Sequence, residues 1–437
     1  MLWLNILKRV VLNKQYSFSV LKYLHGTVCR KQSTAALYVH WPFCKRRCTY
    51  CNFNKYINNS VDHERMKACL IKEADTLIRL AGVTEITSVF FGGGTPSLAK
   101  PETVKALLES VKSLVSIKNN AEISLEVNPT FLEIETLREF SDAGINRVSI
   151  GVQTLNKNGL QILGRDHSEE ESLKCLEMSK SLFPGQVSMD LIFGWPSQTL
   201  DMWISELNQI LPICDNHLSL YQLTVERGTH LFKQIQQGHL RQQDSQVVED
   251  MYLTAVDLLE RNSFERYEIS NFAREKCYSH HNKAYWTGHD YIGIGPGAHG
   301  RFQPVASKQR QARIQTLEPN DWMWEVERFG HATRKATSLS QLQQLEELLI
   351  VGLRTREGIS NKVWMKISEE RSIQELLQGP EVKQLVQRDL LMFDGEDLRA
   401  TKEGQNIIDS LLPDLINVLG QNQRLAASMT TQPQNLT

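Results

Sequence analysis

Six short apolar segments alternate with helical segments between Ala35 and about Gly300, and this alternation constrains the fold most strongly. Short segments rich in β-branched residues are typical of buried parallel strands. Right-handed crossovers would bring the βα units into an open barrel whose ligands lie at the carboxyl ends of the strands. A full eight-stranded barrel would need two more strands, so the sequence predicts an α/β fold with a partial (β/α)6 barrel. The predicted strands are Leu37–Trp41, Ile86–Phe91, Ile123–Val127, Val148–Val152, Val187–Phe193 and Leu218–Val225.

Three cysteines follow the first predicted strand, at Cys44, Cys48 and Cys51. A structural zinc site needs four protein ligands, and no fourth Cys or His follows at zinc-finger spacing. Three thiolates that leave one position open suit a cubane iron–sulfur cluster whose fourth iron takes an exogenous ligand. The basic residues Lys45–Arg47 would favour thiolates and partly offset an anionic cluster. Three free cysteines on a basic loop remain the alternative interpretation.

The residues around these cysteines resemble a known family. CxxxCxxC after a short strand is the signature of the radical S-adenosylmethionine (SAM) superfamily, and Tyr38–Cys44 and Tyr50–Asn54 resemble its HemN/HemW group. This group holds oxygen-independent coproporphyrinogen III oxidases and HemW-type haem chaperones, among them mitochondrial members. The resemblance extends from about Leu37 to about Ile416. It implies a [4Fe–4S] cluster held by the three cysteines, with SAM on the open iron.

Glycines and a carboxylate follow the next two predicted strands. The glycine triplet before Thr95 would let a ligand approach the backbone closely, although by itself a plain turn explains it better. In the family, a similar loop grips the amino group of the SAM methionine, which implies that role for Gly93, Gly94 and Thr95. The resemblance also makes Glu126 a SAM contact, whereas from its position alone it could cap the following helix.

Three further polar residues match the family's SAM contacts in their separations. Gln153 could offer a donor and an acceptor to a ribose, and Arg165 could form a bidentate pair with the methionine carboxylate. Asp190 lies inside an apolar strand, where a buried acid is costly unless it has a partner such as a ribose hydroxyl. The resemblance adds Tyr38 and Tyr50 to the same SAM site.

A second informative block covers residues 279–300. Imidazoles beside a Tyr-Trp pair and a glycine-rich turn could bind a flat aromatic ligand and reach a metal axially, although such a block is more often a loop packed on the barrel. His281–Trp286 reads HNKAYW and resembles the HNxxYW signature of the HemW subgroup, where it is associated with haem. This resemblance predicts His281 as the axial haem ligand, with His280 and His299 as alternatives.

The amino-terminal region contains no Asp or Glu before Asp62, and its basic residues alternate with apolar ones. This pattern is typical of a mitochondrial transit peptide, and a disordered basic arm is the alternative. We therefore assign residues 1–34 to a transit peptide and expect the protein in the mitochondrial matrix, where iron–sulfur clusters are assembled. The basic residues are Lys8, Arg9, Lys14, Lys22, Arg30 and Lys31.

Composition excludes several classes of protein. The formal net charge of −1 provides no basic field for nucleic acid. No apolar stretch is long enough to span a bilayer, so we do not expect an integral membrane protein. Five of the eight cysteines are scattered singly, which argues against a secreted protein built on disulfides.

The carboxyl-terminal third of the chain changes in pattern. Residues 301–340 are polar and basic and predict an irregular linker after the barrel of residues 35–300. Residues 341–416 predict helices and a hairpin that turns at Asp394–Glu396, which together suggest a small α+β, winged-helix-like HemN-type domain. Because this region is not basic, we expect a lid over a protein or substrate. Residues 417–437 are rich in Gln, Asn, Thr and Ser and predict a disordered tail.

Two functions compete. One is oxidative decarboxylation of coproporphyrinogen III by radical SAM chemistry; the other is a haem chaperone that delivers haem to haem proteins, with respiratory-chain proteins among the candidates. The oxidases carry a fourth cysteine two residues after the third, where this chain has Phe53. Phe53 and the HNxxYW match favour the chaperone over an enzyme. A degenerate radical SAM scaffold that only binds partners is the third hypothesis.

Overall fold

The structure, a computed structural model, describes residues 33–58 and 60–430, with side chains to Arg424. The predicted transit peptide therefore lies outside the described residues except for Ser33 and Thr34, and Thr34 already belongs to the first strand. None of the described helices is long and apolar enough to cross a membrane.

One twelve-stranded sheet dominates the described chain, with two smaller strand pairs beside it. The strands are β1 Thr34–Trp41, β2 Phe43–Cys44, β3 Tyr56–Ile57, β4 Glu85–Gly93, β5 Ser116–Val127, β6 Arg147–Gln153, β7 Val187–Phe193, β8 His217–Gln222, β9 Glu265–Glu268, β10 Asn271–Ala273, β11 Tyr291–Ile294, β12 His299–Phe302, β13 Gln311–Gln315, β14 Thr333–Ser338, β15 Leu391–Asp394 and β16 Asp397–Ala400. The order of strands in the twelve-stranded sheet is β14-β13-β12-β11-β1-β4-β5-β6-β7-β8-β10-β9.

The six predicted strands are confirmed as the parallel run β1 and β4 to β8. A seventh parallel strand, β11, pairs with the outer side of β1 and was not predicted. It has only four residues and contains Gly293, so its sequence resembles a glycine-rich turn. Antiparallel strands then extend both edges of the sheet.

Helices connect the parallel strands and form most of the carboxyl-terminal region. Their ends follow ordinary capping chemistry: Asp62 caps the first helix by accepting from the N–H of Arg65, and Gly82 ends it in the left-handed conformation. The helices are α1 His63–Ala81, α2 Pro101–Leu114, α3 Phe131–Asp142, α4 Lys157–Leu163, α5 Glu169–Leu182, α6 Leu200–Ile210, α7 His230–Gln236, α8 Ser245–Arg261, α9 His280–Trp286, α10 Pro319–Phe329, α11 Gln341–Gly352, α12 Asn361–Ser368, α13 Ile373–Leu376, α14 Pro380–Gln387, α15 Lys402–Asn406 and α16 Ile408–Thr430.

The prediction of a linker over residues 301–340 was wrong. Strands β12 to β14 extend the main sheet there, and α10 packs against α1 through Trp322, Met323 and Val326. The strands were missed because they lie toward the sheet edge, where β14 alternates between half-buried and exposed residues. The helix was missed because its apolar face is short and is surrounded by polar residues.

The predicted disordered tail also needs correction, because α16 continues to Thr430. Leu415, Val418 and Leu419 are buried in a second apolar core formed by the carboxyl-terminal helices and the β15–β16 hairpin. This core also includes Trp286 of α9. The carboxyl-terminal domain therefore packs directly on the segment that carries the HNxxYW residues.

Candidate functional site

A cavity of about 850 Å³ opens inside the sheet, a size typical of small-molecule sites. Every residue predicted for the cluster or for SAM lines it. These residues are Tyr38, Cys44, Cys48, Tyr50, Cys51, Gly93, Gly94, Thr95, Glu126, Gln153, Arg165 and Asp190. Strands from distant parts of the sequence thus bring the predicted group together at one place.

The cysteine loop begins in a short strand and sits across the carboxyl ends of the barrel strands. Cys44 is buried in β2, and Cys48 and Cys51 are half-buried in the turn that follows. Within the described residues, no three acidic, His or Cys side chains converge tightly enough to hold one metal ion. A cubane cluster does not require such convergence, because each thiolate binds a different iron atom.

Lys55 supplies positive charge near Cys44. Burial raises the pKa of the Cys44 thiol to about 11, a hydrogen bond from Thr95 opposes this shift, and Lys55 also lowers the pKa. Lys45–Arg47 are exposed, and Lys45 and Arg46 line the same cavity, where their charge could partly offset an anionic cluster. Lys55 is held at the loop by the carbonyl oxygens of Cys51 and Phe53.

His40 and Asn54 hold the two ends of the cysteine loop, and sequence reasoning missed both. The His40 imidazole bridges the hydroxyl of Tyr38, at 3.0 Å, and the carbonyl oxygen of Asn54, at 2.9 Å. Asn54 Nδ2 donates to the carbonyl oxygens of Pro296 and Leu317, both at 2.9 Å. The loop is therefore fixed to the segments after β11 and β13 by hydrogen bonds that span more than two hundred residues of sequence.

The glycine triplet fits its predicted use as a backbone cradle. A Cβ on Gly93 would lie 2.6 Å from the His40 ring, and φ at Gly93 is +120°. A Cβ on Gly94 would lie 2.8 Å from the backbone of Pro42 and Phe43. Only glycine leaves this surface open to a ligand.

Glu126 contacts this cradle. Its Oε2 accepts a hydrogen bond from the N–H of Gly93 at 3.0 Å, so it does not cap the following helix, which begins after Thr130. Burial raises the pKa of Glu126 to about 7, against the opposing effect of the Gly93 hydrogen bond. An ammonium group that bound beside Glu126 would lower this pKa and favour the carboxylate, which could then accept its hydrogen bonds.

Arg165 lies between the cysteine loop and the strand ends. Its Nη1 lies 3.4 Å from Cys48 Sγ, and its Nη2 donates to Asn128 Oδ1 and to the carbonyl oxygen of Gly151. Its Nε is buried and has no hydrogen-bond partner among the described residues. A buried guanidinium with an unused donor fits a ligand carboxylate, as the sequence predicted.

Gln153 and Asp190 complete this end of the cavity. Gln153 ends β6 with φ at +67°, and the register of β6 against β7 shifts just before it. Such strain in a non-glycine residue is often found at functional sites. Asp190 accepts from Ser149 Oγ at 2.8 Å, and burial raises its pKa.

The HNxxYW helix α9 lies at the opposite, amino end of the barrel. Its His281 contacts Ser88, which is five residues before Gly93 along β4. At about 3.3 Å per residue, Ser88 and Gly93 lie about 16 Å apart along the strand. Phe90 lies between them and stacks on His281, with centroids 5.1 Å apart, and on Tyr38, with centroids 6.3 Å apart. The predicted haem residues and the predicted SAM residues therefore border one cavity and meet at Phe90.

The three predicted haem histidines are placed differently. His281 has no accessible surface, and its two ring nitrogens lie 2.9 Å from Ser88 Oγ and 2.6 Å from the Tyr285 hydroxyl. Burial lowers the pKa of His281 to about 3, so the ring is neutral. His280 is exposed and does not line the cavity, whereas His299 does.

Glu122, which sequence reasoning did not identify, fixes α9 to the barrel. Its carboxylate accepts from Ser279 Oγ and from the N–H groups of His280 and His281, at 2.9 to 3.3 Å. It also pairs with the buried Arg147 at 3.8 Å. An acid between Ala121 and Ile123, where the buried half of β5 begins, was the signal that could have identified it.

Comparison with known proteins agrees with this geometry. The radical SAM superfamily model matches residues 38–210, and the HemN C-terminal domain model matches residues 339–407. The chain is 49% identical over 385 residues to the mitochondrial radical S-adenosyl methionine domain-containing protein 1 of Danio rerio, and the aligned region covers 87% of each chain. It is 31% identical over 326 residues to the haem chaperone HemW of Bacillus subtilis, covering 74% of this chain and 84% of that one.

The chain belongs to the radical SAM superfamily, in the group of HemN- and HemW-type proteins. This radical SAM protein also shares its fold with the coproporphyrinogen III oxidase HemN of Escherichia coli, with a TM-score of 0.73 at 20% identity over 88% of this chain and 90% of that one. Membership of the superfamily implies a [4Fe–4S] cluster and SAM. The open glycine surface and the unused Arg165 donor fit these groups.

Proposed function

We propose that this protein is a mitochondrial haem chaperone that binds haem and delivers it to haem proteins, and that it carries a [4Fe–4S] cluster with exchangeable SAM. The observation that carries the proposal is Phe53, which lines the cavity two residues after Cys51. The oxidases that this chain resembles have a fourth cysteine at that position. The similarity to proteins named haem chaperone HemW supports the same choice.

In this proposal the carboxyl end of the barrel holds the resident cofactors. Cys44, Cys48 and Cys51 bind the cluster, which supplies electrons and the open iron on which SAM sits. Glu126 and the Gly93–Thr95 backbone hold the methionine amino group, and Arg165 holds its carboxylate. The remaining SAM contacts are Tyr38, Tyr50, Gln153 and Asp190.

The amino end of the barrel receives the haem in this proposal. Phe90 stacks on His281 with ring centroids 5.1 Å apart, and Tyr285 packs edge-on against both His281 and Tyr291. Aromatic and apolar walls of this kind suit a porphyrin face. Separation from the cluster end allows haem to be exchanged while the cysteine loop stays in place.

We place this activity in the mitochondrial matrix and the recipients among respiratory-chain haem proteins. Similar proteins of Danio rerio, Bos taurus and Mus musculus are named mitochondrial. The acid-free, basic leader supports import into that compartment. Fractionation of cells that express the tagged full chain would test the location, and protection of the tag from protease inside intact mitoplasts is the expected result.

A haem titration tests the function. Anaerobically reconstituted protein should bind one haem with a saturating change in the Soret band and should then pass it to an apo-haem protein such as apomyoglobin. The cluster and SAM are followed in the same sample by EPR. Absence of saturable haem binding would refute the chaperone.

The same preparation tests the alternative function, coproporphyrinogen III oxidase. With SAM, a reductant and coproporphyrinogen III under anaerobic conditions, we expect no decarboxylation of the propionate side chains. The variant Phe53→Cys restores the fourth cysteine of the oxidase pattern and provides a comparison in the same background. Turnover by the wild-type protein would refute the chaperone proposal and favour the oxidase function.

A further inference from the structure

The haem ligand at the amino end can be sought among the side chains that line the cavity. His281, predicted from the HNxxYW pattern, has no accessible surface, and the Tyr285 hydroxyl covers its Nε2 at 2.6 Å. An iron atom could reach this nitrogen only after Tyr285 had moved. The hydrogen bonds of His281 to Ser88 and Tyr285 instead make it a positioning residue that joins α9 to β4.

Tyr291 differs from His281 in its accessibility. It begins β11 and lines the cavity as His281 does, but its side chain is partly accessible. The hydroxyl makes no hydrogen bond to any residue in the described part of the chain, and its ring packs edge-on against Tyr285 with centroids 4.5 Å apart. Its parallel neighbour is the small residue Ala36, which leaves space beside the ring.

Positive charge adjoins this phenol. Arg301 is the direct partner of Tyr291 on the antiparallel strand β12, so the two side chains share a face of the sheet. Burial raises the pKa of Tyr291 and the Glu347 carboxylate adds to this effect, whereas the Arg301 and Arg310 guanidiniums favour the phenolate. Arg301 itself is buried and paired with Glu347 at 3.2 Å, so its charge is held in place.

The walls around Tyr291 suit a porphyrin. Helix α11 of the carboxyl-terminal domain turns Gln344, Glu347, Leu348 and Val351 toward the cavity, at the i, i+3, i+4, i+7 spacing of one helix face. Two of these four residues are apolar. Arg310, held by Asp290 at 3.0 Å, lines the same region and adds a second cation near the carboxylates that a haem carries.

We propose that Tyr291 is the axial ligand of the transferred haem, in a site between the amino end of the barrel and helix α11. The inference rests on the proposed haem function. As the bond forms, the phenol releases its proton to water in the cavity, and the phenolate oxygen donates an electron pair to ferric iron. Tyrosine is an established axial ligand of haem iron, and one anionic oxygen on an otherwise open site leaves the haem exchangeable.

The test compares conservative variants of the full chain after titration with ferric haem. Tyr291→Phe should remove the phenolate-to-iron charge-transfer absorption and the phenolate bands in the resonance Raman spectrum, and should weaken haem binding at least tenfold. Tyr285→Phe is the matched control, because it removes a neighbouring hydroxyl in the same aromatic group. It should retain the phenolate bands, and His281→Ala and His299→Ala should retain them as well.

The outcomes separate this inference from the function on which it depends. Wild-type protein that binds no haem would refute the proposed function. Wild-type protein that binds haem while Tyr291→Phe keeps its spectrum and affinity would overturn the tyrosine ligand alone. Loss of the axial bands in His281→Ala or His299→Ala, with Tyr291→Phe unchanged, would transfer the ligand role to that histidine. Circular dichroism of each variant confirms that the comparison is between folded proteins.

Discussion

Asn54 Nδ2 lies 2.9 Å from the carbonyl oxygen of Pro296, and this hydrogen bond joins the cysteine loop to the turn after β11. Asn54 makes an equal bond to Leu317, so Asn54→Ala removes two hydrogen bonds, each worth about 1 kcal/mol. We expect faster loss of iron to a chelator after anaerobic reconstitution. Asn52→Ala is the control, because Asn52 is in the same loop and exposed. Equal iron loss from the two variants would contradict this anchoring role.

The three loop cysteines should be needed individually for the cluster. Cys44→Ala, Cys48→Ala and Cys51→Ala should each abolish the iron–sulfur absorbance and the EPR signal of the reduced protein. Cys175→Ala, which changes a fully buried cysteine in α5, should keep both signals at a small cost in stability. Metal analysis that found zinc and no iron in the wild-type protein would disprove the cluster assignment.

Gly93 should tolerate no side chain. In Gly93→Ala the new Cβ would clash with His40, and the φ of +120° is unfavourable as well. Gly228→Ala is the control for the unfavourable φ without the clash, because Gly228 has φ of +88° and open space around its Cβ position. The control should lose about 1 kcal/mol of stability, whereas Gly93→Ala should lose more and also fail to bind SAM in calorimetry. Normal SAM affinity in Gly93→Ala would argue against the cradle.

Glu122→Gln should loosen the HNxxYW helix. The substitution removes the charge that pairs with Arg147 and places an amide N–H₂ opposite donors from Ser279 and His281. Breaking a buried pair costs about 3 kcal/mol, so the melting temperature should fall by several degrees. Glu135→Gln, on the exposed face of α3, should leave it unchanged. Similar melting temperatures for both variants would show that Glu122 does not hold α9.

Stability should depend on pH through Glu73. Burial raises the pKa of this carboxyl to about 7, above its unfolded value of about 4.3. Between these two values the folded state binds the extra proton, so the contribution of Glu73 to stability falls as pH rises and is constant above about pH 7. The stability advantage of wild type over Glu73→Gln should shrink by as much as about 3 kcal/mol from pH 5 to pH 8. Chemical denaturation of both proteins at both pH values measures the difference in their free energies of unfolding. A difference that stayed constant with pH would rule out this titration of Glu73.

The sequence predicted the parallel strands and the SAM end of the cavity for one physical reason. Buried parallel strands are continuously apolar, so Asp190 and Glu126 stand out within them, and strand ends meet at one edge of the sheet. The glycine triplet stands out in the same way. Local pattern and tertiary position therefore agree at this end of the barrel.

The amino end could not be predicted in the same way. The short hairpin of β9 and β10 leads the chain back to the start of the strands before α9 begins, and nothing in the HNxxYW residues records that reversal. Ser88 and Glu122 contact α9 from strands more than one hundred and fifty residues earlier. Whether an imidazole such as that of His281 is accessible depends on those distant partners.

Glu73 has a consequence for dissecting the protein. Its carboxylate, in the middle of α1, accepts from the N–H of Gly295, the indole of Trp322 and the N–H of Ala332 at 2.8 to 2.9 Å. A fragment that stopped at Gly300 would lose two of these three donors and would bury an acid without them. The barrel of this chain cannot be excised at that residue, and expression trials on shortened versions should retain everything to the end of β14.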